Sequence, residues 1–558
     1  MFPEYATLNL LLILSLWLLL PGLKPSSQVF RQFVLLPLIF VQVFYIHWRY
    51  NETLEPFLWS PEAIWQYAFF ISESLVVMYA IWQCITLIRY TDRTAHCDTL
   101  LQSSEYFQAK SVDLFVPTLS ESRAILSETI IAAKNDRYEN LNIFVCDDGN
   151  REWLRDLCKE QGVFYLSRSR DQPLRTKAAN LDWCIAHGNA EYIVCIDADF
   201  QIDPDLTTRL TSFFADSDIG LVQAPQHFRN LDPVQRNLFG GSAWTEEQRF
   251  FFDVSLPSRD AWDNALCVGS CWATRREVIN RLGGFPVDSI VEDVYFGYRV
   301  KSLGYRTVYL NERLATGLAA EDTPSYISQR SRWCLGALAL LRAPHGPFRA
   351  RGLKLIDRIF YLEISFYWIT HIHMFFLLIA PAMYGFLGYK VFLCTTEELL
   401  AILLPKSILL CVVFYWISEG RCMPMITPVQ KTLTVFHVIP SILQGVLFPR
   451  SAKFKVTRKD IQYNNRTIHW SLAAPFLIVG ALTISSMAVV SSQDFNQFDW
   501  SDYSAYNTLL SAYSLITVFL CCLVCVDKPS SSEKDEPETP LRGSWWRTVT
   551  AIKTRIFY

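Results

Sequence analysis

The chain has 558 residues, of which 51% are hydrophobic, 14% aromatic and 19% charged. That is too apolar for one soluble globule, yet the charge stays close to the soluble average of about 25%, which excludes a bundle of membrane spans alone. The 51 Lys and Arg against 54 Asp and Glu give a net charge of -3, and this near balance lacks the basic footprint of a nucleic-acid binder.

Apolar runs able to cross about 30 Å of hydrocarbon fall near residues 7–22, 32–47, 63–88, 366–388, 399–418, 471–490 and 505–526, which predicts about seven spans. The first run lacks a basic leader and a small-residue cleavage site, so it is read as a retained helix. With the N-terminus outside, the inner segments carry Lys24 and Arg31, then Arg89 and Arg93, then Arg421, Lys431, Arg450, Lys453, Lys455, Arg458, Lys459 and Arg466. The outer segments offer Arg49 and Lys390. Cationic residues are retained on the inner side, so the polar stretch between the third and fourth spans is expected to be cytoplasmic. Glu73, mid-span, requires either a hydrogen bond to a neighbouring helix or a place on a polar pathway. His371 and His373 stand two apart on different helical faces and are read as interfacial. Residues 423–448, broken by three prolines, read as an amphipathic helix along the inner interface. The tail opens with a disordered composition and closes with a basic, Trp-containing stretch suited to anionic lipid. The fifteen cysteines are scattered and are expected to be buried thiols in a reducing compartment.

From about residue 105 to 345 short β-branched runs alternate with polar helices, which predicts an α/β sheet. A strand over 111–116 leads into a helix over 123–135; a second strand over 142–146 ends in Asp147-Asp148-Gly149, and another over 191–196 ends in Asp197-Ala198-Asp199. In open parallel sheets ligands bind beyond the carboxyl ends of the strands, so both acidic turns point at one crevice. Asp197 and Asp199 suit a hard divalent cation that shares phosphate oxygens, although such a pair alone is often only a turn. Glu292 and Asp293 precede a helix, where a carboxylate serves as a cap or as a general base. Gln329-Arg330-Ser331-Arg332-Trp333 combines guanidinium groups suited to phosphate with an indole suited to a sugar face.

Together, Asp147-Asp148-Gly149, Asp197-Ala198-Asp199, Glu292-Asp293 and Gln329-x-x-Arg332-Trp333 resemble the D, DxD, ED, QxxRW signature of processive family 2 glycosyltransferases. The resemblance extends to the catalytic subunit of bacterial cellulose synthase through Val222-Gln223-Ala224-Pro225, Asp232-Pro233-Val234-Gln235-Arg236-Asn237-Leu238 and Phe454-x-Val456-Thr457-x-Lys459, covering about residues 30–490. It implies an α/β GT-A-like cytoplasmic glycosyltransferase domain inserted between transmembrane α-helices, with membrane helices over 1–104, the catalytic domain over 105–350, interfacial and membrane helices over 351–526 and a tail over 527–558. It also implies an inner (plasma) membrane enzyme that extends a β-glucan from UDP-glucose with Mg²⁺ or Mn²⁺, with the lipid bilayer and the growing glucan as partners and accessory export subunits beside it.

Carried over by position, the resemblance assigns Thr118, Glu121, Asp147, Lys177, Asn180, Asp197, Gln329 and Arg332 to the nucleotide sugar, with Asp147 on the uracil ring and Lys177, Gln329 and Arg332 on the diphosphate. Asp197 and Asp199 become the metal ligands, Asp293 the base and Glu292 its neighbour. Trp333, Val268, Gly269 and Ser270 fall to the acceptor, and Phe454, Val456, Thr457 and Lys459 to a loop that closes over the donor. Leu119 stands where an aromatic is usual, Val268 where a Cys is usual, and Val291 where a Thr is usual, which leaves sugar and linkage open. The tail of about 32 residues is too short for a PilZ domain, since a domain needs at least about 50 residues. Cellulose is the first expectation, and a β-1,3-, mixed-linkage or other hexose polymer the alternative. A non-catalytic polysaccharide-binding subunit and a transferase acting on a lipid acceptor are the rivals.

Overall fold

The computed structural model describes residues 2–103, 110–169, 176–238, 246–422, 427–448, 465–493 and 503–528. Its central sheet has seven strands: β1 (Val112–Thr118), β2 (Leu141–Asp147), β3 (Phe164–Leu166), β4 (Tyr192–Cys195), β5 (Ile219–Gln223), β6 (Trp272–Arg275) and β7 (Arg306–Tyr309), in the order β3-β2-β1-β4-β6-β5-β7. Strands β1 to β4 pair in parallel, whereas β6 runs antiparallel to both neighbours, so the sheet is mixed rather than wholly parallel. Every residue of β1 is buried, as expected for a central strand covered on both faces. Leu114 and Val116 face a core shared with Leu126 and Ile130 of helix α4 (Arg123–Lys134). Phe115 faces the opposite core, with Leu181 of α5 (Lys177–Ile185) and Phe296 of α6 (Glu292–Ser302). Strand β1 runs two residues further than predicted, through Pro117, because only β2 pairs with it beyond Phe115.

Six helical stretches among the described residues are long and apolar enough to cross a membrane: Gln28–Glu52 (α2), Pro61–Leu87 (α3), Leu355–Leu387, Thr396–Ile417, Trp470–Ser491 and Tyr506–Val524. The first predicted span corresponds to helix α1 (Phe2–Leu19). Helix α7 (Thr323–Ala339) closes the α/β domain, and after it come α8 (Leu355–Ile369), α9 (His371–Leu387), α10 (Thr396–Ile417), α11 (Thr427–Leu447), α12 (Trp470–Gln493) and α13 (Tyr503–Val524). Helix α8 runs into α9 across Thr370, so the fourth span starts earlier than its most apolar residues suggest. The chain therefore places a mixed α/β domain among helices long and apolar enough to cross a membrane.

Segment 256–262 seats this domain on the bundle. Arg259, buried, ion-pairs with Glu363 of α8 and donates to the Tyr298 hydroxyl of α6 at 3.0 Å. Tyr298 stacks on Tyr361 of α8 with ring centroids 3.8 Å apart. Two cations counted as loop charges belong instead to helix α2. Arg31 is buried and donates to Leu87 O at 3.1 Å and Ser258 Oγ at 2.9 Å, and Arg49 is buried against Glu73 at 2.7 Å. Glu73 also accepts from the Tyr45 hydroxyl at 2.5 Å, which favours the structural reading of that carboxylate. His371 and His373 are buried rather than interfacial; His373 meets Ser72 Oγ at 3.0 Å. All fifteen cysteines are free thiols.

Candidate active site

The first wall of the site forms where β1 and β2 end side by side, with Thr118 in register with Asp147. Gly149 is required in the following turn, since a Cβ there would stand 2.4 Å from Leu119 O. Asp147 accepts from Gly149 N at 2.8 Å and Arg151 Nε at 3.1 Å on one oxygen, and from Arg151 N at 2.7 Å and the Tyr165 hydroxyl at 3.0 Å on the other. Four donors fill the acceptor capacity of a carboxylate, so Asp147 is committed to shaping this wall. Asp148 is held by Arg168 through two bonds of 2.6 and 2.8 Å. Glu121 turns back to accept from Thr118 Oγ1 at 2.5 Å and from Leu119 N at 2.9 Å. Ser120, Glu121, Arg123, Arg151 and Trp153 line an open pocket beside it. None of these partners stands out in the sequence; Arg151 stands only four residues after Asp147, whereas Tyr165 and Arg168 reach these acids because β3 lies beside β2.

The floor comes from the end of β4 and the start of α5. Thr176 caps α5 by accepting from Ala179 N at 3.2 Å, which places Lys177 on its first turn. Lys177 forms an ion pair with Asp197 and donates to Gly269 O at 2.6 Å. Burial alone would lower the Lys177 ammonium, but the Asp197 carboxylate outweighs it and holds the group above its ordinary range. Asp197 N donates to Ser270 Oγ at 2.8 Å, and buried Asp199 accepts from Leu318 N at 3.1 Å. Gly269 has φ +93°, and a Cβ there would lie 2.9 Å from Asp293 Oδ2, so this glycine permits both the turn and the approach of Asp293. Val268 donates its N–H to Gln223 Oε1 at 2.9 Å. Asn180 is turned inward and donates to Cys146 O at 2.7 Å; it braces the end of β2 rather than facing the crevice.

The remaining wall belongs to α6 and α7. Val291 occupies the cap position of α6, so Glu292 and Asp293 stand in its first turn; neither is the cap. Burial, and then the neighbouring Asp293, push Glu292 up to about 7, and burial raises Asp293 as well; Lys177 and Arg332 oppose both shifts. Gly336 lets α7 close on Val291, since a Cβ there would stand 2.6 Å from its side chain. The two arginines of α7 separate. Arg330 is buried against Glu247 at 2.9 Å and lies over the Tyr326 and Trp333 rings, while Arg332 adds its charge to the Glu292–Asp293 side. Gln329 accepts from Arg330 Nη1 at 2.7 Å. Trp333 packs against two buried clusters, one holding Val291 and Tyr295 of the domain and the other holding Trp368 of α8 with Val438 and Ile442 of α11, at the junction of domain and bundle. Among the described residues no group of three or more His, Cys, Asp or Glu is arranged to enclose a metal. Phe454, Val456, Thr457 and Lys459 lie outside the described residues.

Lys177, Asp197, Gly269, Ser270, Glu292, Asp293 and Arg332 thus converge beyond the carboxyl ends of the strands, as expected for a ligand crevice in an α/β sheet. The model of a glycosyltransferase like family 2 matches residues 109–336, and the cellulose synthase model matches residues 258–421. A cellulose synthase catalytic subunit (UDP-forming) from Komagataeibacter sucrofermentans is 28% identical over 513 residues, covering 90% of this chain and 66% of its own length. The corresponding subunit from Pseudomonas fluorescens is 28% identical over 435 residues, covering 76% of this chain and 58% of its own. The chain therefore spans less than two thirds of these relatives. A solved mannosyltransferase from Pyrobaculum calidifontis, in complex with GDP-Man and Mn²⁺, has a TM-score of 0.43 and 17% identity, over 69% of this chain and 98% of its own. Residues 109–336 are thus similar to family 2-like glycosyltransferases and residues 258–421 to cellulose synthases, and over most of its length the chain resembles the catalytic subunits of bacterial cellulose synthases.

Proposed function

We propose that this chain is a processive, inverting β-glycosyltransferase that polymerises glucose from UDP-glucose into a β-glucan, cellulose first, and passes it across the inner membrane. The observation that carries the reading is the meeting of Asp293, Lys177 and the Gly269–Ser270 turn at the carboxyl end of β4. Asp293 removes the proton of the acceptor hydroxyl, whose oxygen forms the new bond to the anomeric carbon as the bond to UDP breaks on the opposite face. Lys177 and Arg332 supply positive charge for the departing diphosphate, and Gln329, three residues before Arg332 on α7, serves the same group. Trp333, at the junction with the bundle, offers the acceptor sugar an aromatic face. Leu119 cannot stack on a base, so Trp153, on the pocket beside Glu121, is the aromatic surface available to the uracil.

Asp197 and Asp199, two apart beyond β4, are the residues that would hold a divalent cation, an ion usually bound by one or two carboxylates with substrate phosphates completing the shell. When bound, the cation adds charge neutralisation at the diphosphate. Mg²⁺ or Mn²⁺ is proposed on this ligand chemistry. The domain is proposed to be cytoplasmic: its end of the bundle carries Arg31, Arg89, Arg93 and Arg421, while the loops around Glu55 and Glu397 at the far ends of α2 and α10 are acidic.

The test is to feed purified, membrane-reconstituted protein with UDP-glucose and a divalent cation and digest the product. A polymer cut by a β-1,4-specific glucanase supports cellulose, and a resistant hexose polymer supports a sister linkage. A product of one sugar on lipid overturns processivity.

A further inference from the structure

The last membrane helix ends on a carboxylate that no part of the proposed reaction uses. Asp527 is 1% exposed, and both its oxygens are engaged from three other segments. Oδ1 accepts from Asn237 Nδ2 at 2.8 Å and from Thr323 Oγ1 at 2.8 Å. Oδ2 accepts from Thr323 N at 3.1 Å and meets His469 Nε2 at 2.7 Å. His469 stands just before α12, and its N–H donates to Cys525 O at 3.0 Å, next to the short strand pair Thr467–Ile468 and Val526–Asp527. The carboxylate therefore joins the end of α13, the start of α12, the Asp232–Asn237 turn and the first residue of α7.

Thr323 is the decisive contact. The first N–H groups of a helix have no partner within the helix, and a negative charge there also meets the positive end of its dipole. Asp322 already caps α7 through Ser325 N at 2.8 Å, so Asp527 supplies the acceptor for the amide that this cap leaves over. From Thr323 to Gln329, Arg332 and Trp333 the helix rises about 9 to 15 Å, at about 1.5 Å per residue, without an interruption. A shift at its first turn is thus carried to the residues facing the crevice.

We propose that Asp527 is a positioning residue: it sets where α7 begins, and thereby where Gln329, Arg332 and Trp333 stand relative to Lys177 and Asp293. This rests on the transferase reading of α7 given above. Asp527 touches none of the reacting groups and acts through the helix, so the end of the last span and the catalytic helix move as one unit.

The test compares Asp527→Asn with His469→Gln in the full chain in lipid nanodiscs, by hydrogen exchange and by kinetics with UDP-glucose. Asn keeps an oxygen for Asn237 and Thr323 Oγ1 but presents an amide donor to Thr323 N, whereas Gln at 469 keeps a donor for Asp527. Asp527→Asn is expected to raise exchange at the start of α7 by at least about tenfold, leave β1 to β4 unchanged, and lower kcat per UDP-binding site about tenfold with UDP affinity within about twofold, the scale of a small misplacement of reacting groups. His469→Gln is expected to stay within about twofold of the parent in all three. Unchanged exchange at α7, or raised exchange with an unchanged kcat per binding site, overturns the proposal, because a purely structural contact lowers the amount of folded protein and not its turnover. If Asp527→Asn does not accumulate, Thr323→Val, which removes the hydroxyl shared between Asp527 Oδ1 at 2.8 Å and Val524 O at 2.9 Å, both at the end of the same span, carries the same comparison with smaller changes in the same direction; parent-like exchange and kcat in that variant overturn the proposal. The exchange arm needs no substrate, so a parent chain that fails to turn over UDP-glucose overturns the transferase reading while the exchange result still decides the position of α7.

Discussion

Glu292 and Asp293 are adjacent acids that share one half-buried site, and two like charges there cannot both ionise freely. Glu292 is raised from 4.5 to about 7 by burial and by Asp293. A raised carboxyl destabilises the fold as it ionises, so this contribution is absent below about pH 4.5, grows as pH rises and is complete above about pH 7. Glu292→Gln is expected to remove that loss and to erase the ionisation near pH 7 from the kcat/KM profile; thermal unfolding and kinetics across pH 5 to about 9 check both. Residue types and strand-end positions made the acids legible in the sequence. What the sequence could not convey is which of their oxygens are already engaged. Asp147 looked open but is filled by Gly149, Arg151 and Tyr165, and Asn180 looked like a nucleotide ligand but braces Cys146 O. Gly149 and Arg151 are local to Asp147, whereas Tyr165 comes from the pairing of β3 with β2 and Asn180 meets Cys146 O from α5, at separations with no fixed spacing.

Helix α7 shows the same limit one level up. Its sequence presents Arg330 and Arg332 as equal phosphate binders, but a helix turns about 200° between residues two apart, and only the packed structure tells which one faces inward. Arg330 is the buried one, paired with Glu247 and stacked on Tyr326 and Trp333. Removing one partner of a buried ion pair costs about 3 to 5 kcal/mol, so Arg330→Ala is expected to lower thermal stability markedly. Arg332→Ala is expected to leave the unfolding temperature nearly unchanged and to reduce kcat/KM for the donor by at least about tenfold, because its charge serves the departing diphosphate. Unfolding scans and steady-state kinetics on the same preparations separate the two roles; the reverse pattern contradicts this division of α7. The strands and helices of the domain were largely legible from alternation and turn residues. The antiparallel β6 was not, because its four residues carry no sign of direction.

Across the whole molecule, composition identified a membrane protein with an inserted domain, and the helices follow the apolar runs closely. The charges were read less well: Arg31 and Arg49, which look like loop cations, are buried on α2 and tie it to the domain and to α3. A buried pair destabilises a span when one partner is removed alone, because the other charge is then left uncompensated. Glu73→Ala is expected to destabilise the solubilised protein by about 3 kcal/mol, and the double change Arg49→Met with Glu73→Leu to recover most of that loss. Denaturant unfolding of the detergent-solubilised chains measures both; equal losses in the single and double variants contradict a structural role for Glu73. Arg259, Glu363 and the Tyr298–Tyr361 stack seat the domain on this bundle, with Trp333 packed at the junction. The central claim, that Asp293 is the base of a UDP-glucose polymerase, is tested most directly by comparing the parent chain with Asp293→Asn in nanodiscs, following UDP release, polymer length and UDP binding together. The account predicts polymer and matching UDP release from the parent, none from Asp293→Asn, and UDP affinity within about twofold in both, since the substitution removes a proton acceptor and not a nucleotide contact. Polymer made at a comparable rate by Asp293→Asn contradicts it.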